Sequence, residues 1–309
     1  MEMQMNTTAE AQSRKRRLNL PQLLWIGLAA LVLFLIEVML WQALGSRASL
    51  WTVPIAGLGW LGIFILLYCF VEHLKHCSNP LRFILWLFCG GIAAGLLLLG
   101  LNLAFGVILP VNYAFEYTYI LLFVLSINSL VEWKRSGFTK RTLLFPAMLA
   151  LTIGLHYLCQ YLGNVVSLDA AATAPQTAHV LQTFFSVLIF PSAWLRMLAP
   201  LACIWYFTKN KRTHCWALAA YCLFAQLVYA GQFFNPSVWH GLFNNIIPWL
   251  FGGGIAENLQ IFGILAIPFI LGYEHREGAA LSLKKHGFLL LLYPLLVYAI
   301  GTISRFFPS

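Results

Sequence analysis

Charged residues are scarce in this chain. Only 9% of its 309 residues are Asp, Glu, Lys or Arg, while 61% are apolar, and the mean hydropathy is +0.79. This composition excludes a soluble domain of the same size, because several apolar runs exceed the roughly 18 residues that mark a transmembrane helix. We therefore expect a polytopic membrane protein whose backbone polar groups are hydrogen-bonded within helices.

Common catalytic and metal-binding signatures are also missing. The sequence has no nucleophile-elbow serine, no P-loop, no H-E-x-x-H zinc motif and no dinucleotide-binding glycine pattern. Its seven cysteines lack C-x-x-C spacing and lie mostly within apolar runs, so we interpret them as small buried hydrophobic residues rather than metal ligands or disulfides. The sequence also contains no internal repeat and no soluble domain. Candidates for functional residues are therefore isolated polar residues within or beside the apolar runs.

The positive charge, a net +9, is concentrated between the apolar runs. The basic segments are residues 14–17, Lys75 with Arg82, residues 134–141, residues 209–212, and Arg276 with Lys284 and Lys285. They occupy alternate loops, which is the positive-inside pattern. The charge therefore indicates orientation in a membrane, with no nucleic-acid partner expected. Binding of an anionic lipid or a phosphate-bearing cosubstrate is the alternative reading.

Hydropathy predicts an all-α transmembrane bundle of about nine spans. They lie at residues 20–44, 52–74, 81–109, 111–133, 142–165, 179–208, 214–234, 256–273 and 286–307. The first run is too long for a cleaved signal sequence, so we expect an uncleaved span. With the basic tail, residues 1–19, in the cytoplasm, all five basic segments lie inside. The C-terminus of the single membrane domain, residues 20–309, then lies outside.

Two stretches depart from simple spans. Residues 234–254 contain two prolines and three consecutive glycines, which fits either a re-entrant segment or an amphipathic loop on the membrane surface. Ionisable residues are costly within spans, yet Glu37, His156 and Arg196 fall inside predicted ones. Glu37 and Arg196 either neutralise one another or serve a function.

The inner end of the second span reads VEHLKHCSNPLRF. Glu72 and His76 are four residues apart, so a helix places them on one face, where they can share a proton. An imidazole beside a carboxylate is suited to act as a general base. A histidine that simply sits at a helix end near the lipid headgroups is the alternative interpretation.

Two segments together resemble the TraX family. Residues 58–91, which contain VEHLKHCSN, are similar to a family block built on V-E-G-F-x-H-T-x-N. Residues 260–300, with LGYEHREG and later FLLLLYP, are similar to a second block of the form L-Y-N-G-x-x-G, a basic turn and F-Y-P-x-H-L. The matching positions are Gly59, Glu72, His76, Asn79, Tyr273, Gly278, Tyr293 and Pro294.

The TraX family includes the inner-membrane protein that acetylates conjugative pilin, and FimB-like fimbrial accessory proteins. The resemblance implies transfer of an acetyl group from acetyl-CoA to the amine of a membrane-held pilin or fimbrial subunit, in the bacterial inner membrane. It implies that His76 is the base, Glu72 its orienting carboxylate and Tyr293 an oxyanion donor. Glu37 takes the place of a family carboxylate. Residues implied to hold the cofactor are Tyr273, Arg276, Lys284 and Lys285.

The sequence also departs from the family pattern. The family's Asp-His pair corresponds to Glu37-Val38, the arginine of its G-R pair to Trp60, and the histidine of Y-P-x-H to Leu296. Two rival functions therefore remain open. One is a non-catalytic membrane partner for fimbrial assembly. The other is a transporter that uses residues 234–254 and Arg196 as a midplane site.

Overall fold

The structure, a computed structural model, describes residues 18–44, 49–105, 113–137, 140–173, 198–234 and 258–274. Apart from one isolated bridge, the regular structure within these ranges is helical. The helices are α1 (Leu20–Leu44), α2 (Ser49–His76), α3 (Pro80–Phe105), α4 (Tyr113–Ser136), α5 (Lys140–Thr173), α6 (Leu198–Phe207), α7 (Lys211–Phe234), a 3-10 helix (Asn258–Ala266) and α8 (Ile267–Gly272). The expected all-α class is confirmed for the described part of the chain.

Helix α2 lies at the centre of the bundle. It packs against α1, α4, α6, α8 and the 3-10 helix. Its segment Gly57–His76 has a hydropathy of 1.7 and is 94% buried by protein, whereas Pro80–Leu97 of α3 is equally apolar, at 1.8, but only 29% buried. These are the two helices, among the described residues, that are long and apolar enough to cross a membrane. One is enclosed by protein, and the other presents its apolar surface outward.

Helices α1 and α2 form an antiparallel hairpin with an unusually close approach. A Cβ atom added to Gly62 of α2 would lie 2.6 Å from both the Gly27 carbonyl oxygen and the Leu31 backbone nitrogen of α1. A Cβ on Gly27 would lie 2.9 Å from the side chain of Leu66. Small residues allow helix backbones to approach closely in membrane proteins, where such packing replaces hydrophobic exclusion from water. Gly62 therefore sets the separation of the two helices.

The predicted eighth span, residues 256–273, differs from a single α-helix. It consists of nine residues of 3-10 helix followed by six residues of α8, with Pro268 in the first turn of α8. A Cβ on Gly263 would lie 2.3 Å from the ring of Phe64 and 3.0 Å from the sulfur of Cys222, so this segment is wedged between α2 and α7. Because a 3-10 helix rises about 2 Å per residue, the fifteen residues extend about 27 Å.

Most other predicted helices agree with the observed bounds, with two differences in extent. Helix α5 continues to Thr173, whereas the prediction ended at residue 165, and at 34 residues it is about 51 Å long. Only Leu198–Phe207 of the sixth prediction is described. The N-terminal residues 1–17, residues 235–257 with most of the irregular stretch, Arg196 and the ninth span lie outside the described residues.

Candidate functional site

Four separate segments meet at one end of the bundle, which we call the basic end: residues 18, 72–79, 208–214 and 272–274. A parallel bridge joins Leu18 to Tyr273, with the Leu18 amide donating to the Gly272 carbonyl at 2.9 Å and the Glu274 amide donating to the Leu18 carbonyl at 2.9 Å. Lys75 donates from α2 to the Thr208 carbonyl at 3.2 Å. The contacts therefore gather segments that lie in, or directly beside, basic segments expected on one side of the membrane.

The last turn of α2 carries a carboxylate with two basic neighbours. The Lys75 ammonium donates to Glu72 Oε1 at 2.5 Å, and His76 Nε2 lies 4.0 Å from Glu72 Oε2. These pairs follow from the i, i+3 and i, i+4 spacing, and cationic side chains are favoured at a helix C-terminus. The Glu72 side chain is 8% exposed, whereas that of His76 is 44% exposed. The arrangement thus has an accessible imidazole backed by a buried carboxylate.

A second histidine is buried beside this turn. His214, in the first turn of α7, has its Nε2 3.0 Å from the Thr208 carbonyl and its Nδ1 3.4 Å from the Tyr68 hydroxyl. A carbonyl oxygen only accepts, so these partners assign the proton to Nε2, and Nδ1 then accepts from Tyr68. Trp205 Nε1 donates to the His214 carbonyl at 3.0 Å. His214 therefore ties the α6–α7 turn to α2.

Tyr273 belongs to the same packing unit. Its ring lies edge-on to that of Tyr68 at 5.8 Å, and Tyr68 also contacts Trp205 at 5.2 Å. The Lys211 ammonium lies 5.5 Å from the centre of the Tyr273 ring and donates to the Tyr273 carbonyl. Only 2% of Tyr273 is exposed, so its side chain stabilises the basic end by contacts within the protein.

Some of the predicted site residues lie close together in the structure, and one lies far from them. Glu72, His76 and Tyr273 all lie at the basic end. Glu37 lies on α1, which runs antiparallel to α2 with Gly27 against Leu66. Glu37 is ten residues from this contact towards one end of the bundle, and Glu72 is six residues from it towards the other. The two positions are therefore sixteen helical residues, or about 24 Å, apart along the bundle axis. The position of Glu37 on α1 is therefore remote from the turn of α2 that carries Glu72 and His76. The predicted Tyr293, Arg276, Lys284 and Lys285 lie outside the described residues.

Three residues at or next to the basic end were not identified as site residues from the sequence. The sequence predicts Lys75 only as part of a basic segment that indicates orientation or binds an anionic lipid or a phosphate-bearing cosubstrate. Its position three residues after Glu72 is also a helical pairing signal. Tyr68 and His214 are 146 residues apart, and no local pattern links them. The sequence feature that could have identified His214 is its position in the first turn of a predicted span, directly after a basic segment.

Comparison with known proteins found no protein-family model, no curated protein and no solved structure that matches this chain.

We predict that His214→Leu destabilises the protein. The substitution leaves the buried Tyr68 hydroxyl without its acceptor, and an unsatisfied buried polar group costs about 1–3 kcal/mol. The thermal unfolding midpoint of the detergent-solubilised protein is expected to fall. Trp216→Leu, half a turn away on a side chain that is 76% exposed, is the matched control and is expected to leave the midpoint nearly unchanged. Equal midpoints for His214→Leu and the wild type would contradict the assigned bond.

Proposed function

We propose that the chain is a multi-pass protein of the bacterial inner membrane, with about nine spans and its basic end in the cytoplasm. Two long apolar helices support a location in a membrane. The meeting of segments that lie in or beside basic segments at one end of the bundle supports this orientation. Lysine and arginine are retained on the cytoplasmic side during membrane insertion. A site at the basic end would then have access to soluble cytoplasmic cofactors.

We further propose that the protein is a TraX-like acetyltransferase that modifies the amine of a membrane-held pilin or fimbrial subunit. The observation that carries this proposal is the exposed His76 imidazole 4.0 Å from the buried Glu72 carboxylate, at the end where the basic segments gather. Such a pair can take a proton from an attacking amine. Exposure of His76 leaves room for an acceptor to approach it.

The proposed reaction uses acetyl-CoA as cosubstrate. The acceptor nitrogen attacks the thioester carbonyl, the new C–N bond forms, and the C–S bond breaks with release of the CoA thiolate. His76 takes a proton from the nitrogen and returns it to the thiolate. By resemblance, Tyr293 would stabilise the oxyanion, and Arg276, Lys284 and Lys285 would hold the phosphates of CoA. Glu37, remote from the cluster, has no direct part in this step.

A non-catalytic role in fimbrial assembly is the second candidate. Val38 and Leu296 stand where the family has histidines, so two side chains available for proton transfer in the family are lacking. A protein of this kind would bind the subunit through its membrane helices and leave it unmodified.

The intact mass of the pilin separates the two candidates. Pilin from cells that contain the wild-type chain is expected to carry the mass of one acetyl group at its N-terminus, and pilin from a deletion strain is expected to lack it. Complementation with His76→Ala should restore protein but not the modification. Unmodified pilin in wild-type cells, together with poor piliation after deletion, would favour the accessory role.

A further inference from the structure

We propose that Lys75 is a positioning residue that keeps His76 in its neutral, proton-accepting form by binding the carboxylate that the two side chains share. The inference rests on the proposed role of His76 as a base. It adds Lys75 to the site as the residue that determines how strongly Glu72 acts on the imidazole.

The two oxygens of Glu72 have different partners. Oε1 accepts a short charge-assisted hydrogen bond from Lys75 at 2.5 Å, whereas Oε2 lies 4.0 Å from His76 Nε2, beyond hydrogen-bond distance. Lys75 is also fixed from outside its own helix, because it donates to the Thr208 carbonyl at 3.2 Å. The ammonium group is thus held against Glu72 by the α6–α7 turn.

Glu72 and Lys75 both contribute to the charge that acts on His76. A carboxylate about 4 Å away favours the imidazolium form, which has no lone pair with which to accept a proton. The Lys75 charge offsets that of Glu72 and also repels an imidazolium on the adjacent residue. Removing Lys75 is therefore expected to favour protonation of His76, and removing Glu72 to oppose it.

Other titratable groups surround the carboxylate but do not replace Lys75. Tyr68 and Cys69 on α2, His214 on α7 and Tyr273 after α8 all interact electrostatically with Glu72. Tyrosine and cysteine have ordinary pKa values above about 8 and are neutral near pH 7. Arg82 and Lys209 are exposed, so solvent screens their charges. Among these groups, Lys75 is the cation in direct contact with Glu72.

The test follows modification of histidines by diethyl pyrocarbonate, which reacts with neutral imidazole. The purified full chain in detergent is treated across a pH series, and peptide mapping by mass spectrometry gives the rate at His76. Lys75→Met is expected to raise the half-point of the His76 profile above the wild-type value. Lys75→Arg should restore the wild-type half-point, and Glu72→Gln should lower it. His73 and His214 are buried and serve as internal reporters of loosened packing.

An unchanged half-point in Lys75→Met would overturn the inference. A shifted half-point accompanied by new reactivity at His73 and His214 would also overturn the inference, because that result indicates lost packing instead of a specific effect on charge. The readout is independent of acetylation. If the half-point moves but cells with His76→Ala still acetylate pilin, Lys75 has the assigned effect and the proposed function is wrong. If the half-point stays unchanged and cells with His76→Ala no longer acetylate pilin, only the role of Lys75 is rejected.

Discussion

Replacing Gly62 with leucine is expected to abolish the folded protein. Even a single added carbon at this position would lie 2.6 Å from two backbone atoms of α1, and backbone atoms of a packed helix cannot turn aside as a side chain can. Helices α1 and α2 would have to separate, although the segment Gly57–His76 of α2 is 94% buried by protein. We expect the monodisperse peak to disappear when the solubilised variant is analysed by size-exclusion chromatography.

Alanine substitutions at the glycines between α1 and α2 are expected to destabilise the protein by smaller, graded amounts. Gly62→Ala is expected to cost about 1–3 kcal/mol, the usual range for overpacking. Gly27→Ala should cost less, because its nearest neighbour is the movable side chain of Leu66. Gly154→Ala is the matched control, since nothing lies within 4 Å of the added carbon, and it should leave stability unchanged or slightly raised. If Gly62→Leu eluted like the wild type, the close approach of α1 and α2 would be wrong.

The second large effect is expected for His76→Ala. If His76 is the base, its removal should lower the rate of acetyl transfer by about 10²- to 10⁴-fold, the usual contribution of general acid–base catalysis. Glu72→Gln is expected to have a smaller effect, because the imidazole remains and only its electrostatic environment changes. The rate is measured as transfer of labelled acetyl groups in membrane vesicles.

Ser78→Ala provides the control for this variant. Ser78 is exposed two residues beyond His76, so its replacement tests whether any change at this end of α2 impairs transfer. We expect wild-type rates. A loss of the same size in Ser78→Ala and His76→Ala would assign the effect to local structure instead of proton transfer.

Much of the helical architecture follows from the sequence. A predominantly apolar run predicted α1 at residues 20–44, the bounds that the structure gives. The 3-10 helix was not predicted, because hydropathy is the same for a 3-10 and an α-helix of one composition. Its position depends on Gly263 meeting Phe64 and Cys222, which lie far away in the sequence.

The candidate site was predictable only where its contacts are local. Glu72 and His76 are four residues apart, so helical geometry alone brings them together. The contact between Tyr68 and His214 depends on how α6 and α7 fold back against α2, and no periodicity encodes that arrangement. Gly62 was missed for the same reason, since a glycine in an apolar run does not reveal which backbone it faces.

The most direct test of acetyl transfer by this protein uses membrane vesicles from cells that express the chain, incubated with acetyl-CoA labelled in its acetyl group. We expect a small membrane protein to become labelled at its N-terminal amine, and we expect the label to be lost when vesicles lack the chain or carry His76→Ala. Equal labelling in all three preparations, or no labelling with the wild-type chain and pilin present, would contradict acetyl transfer by the Glu72–His76 pair.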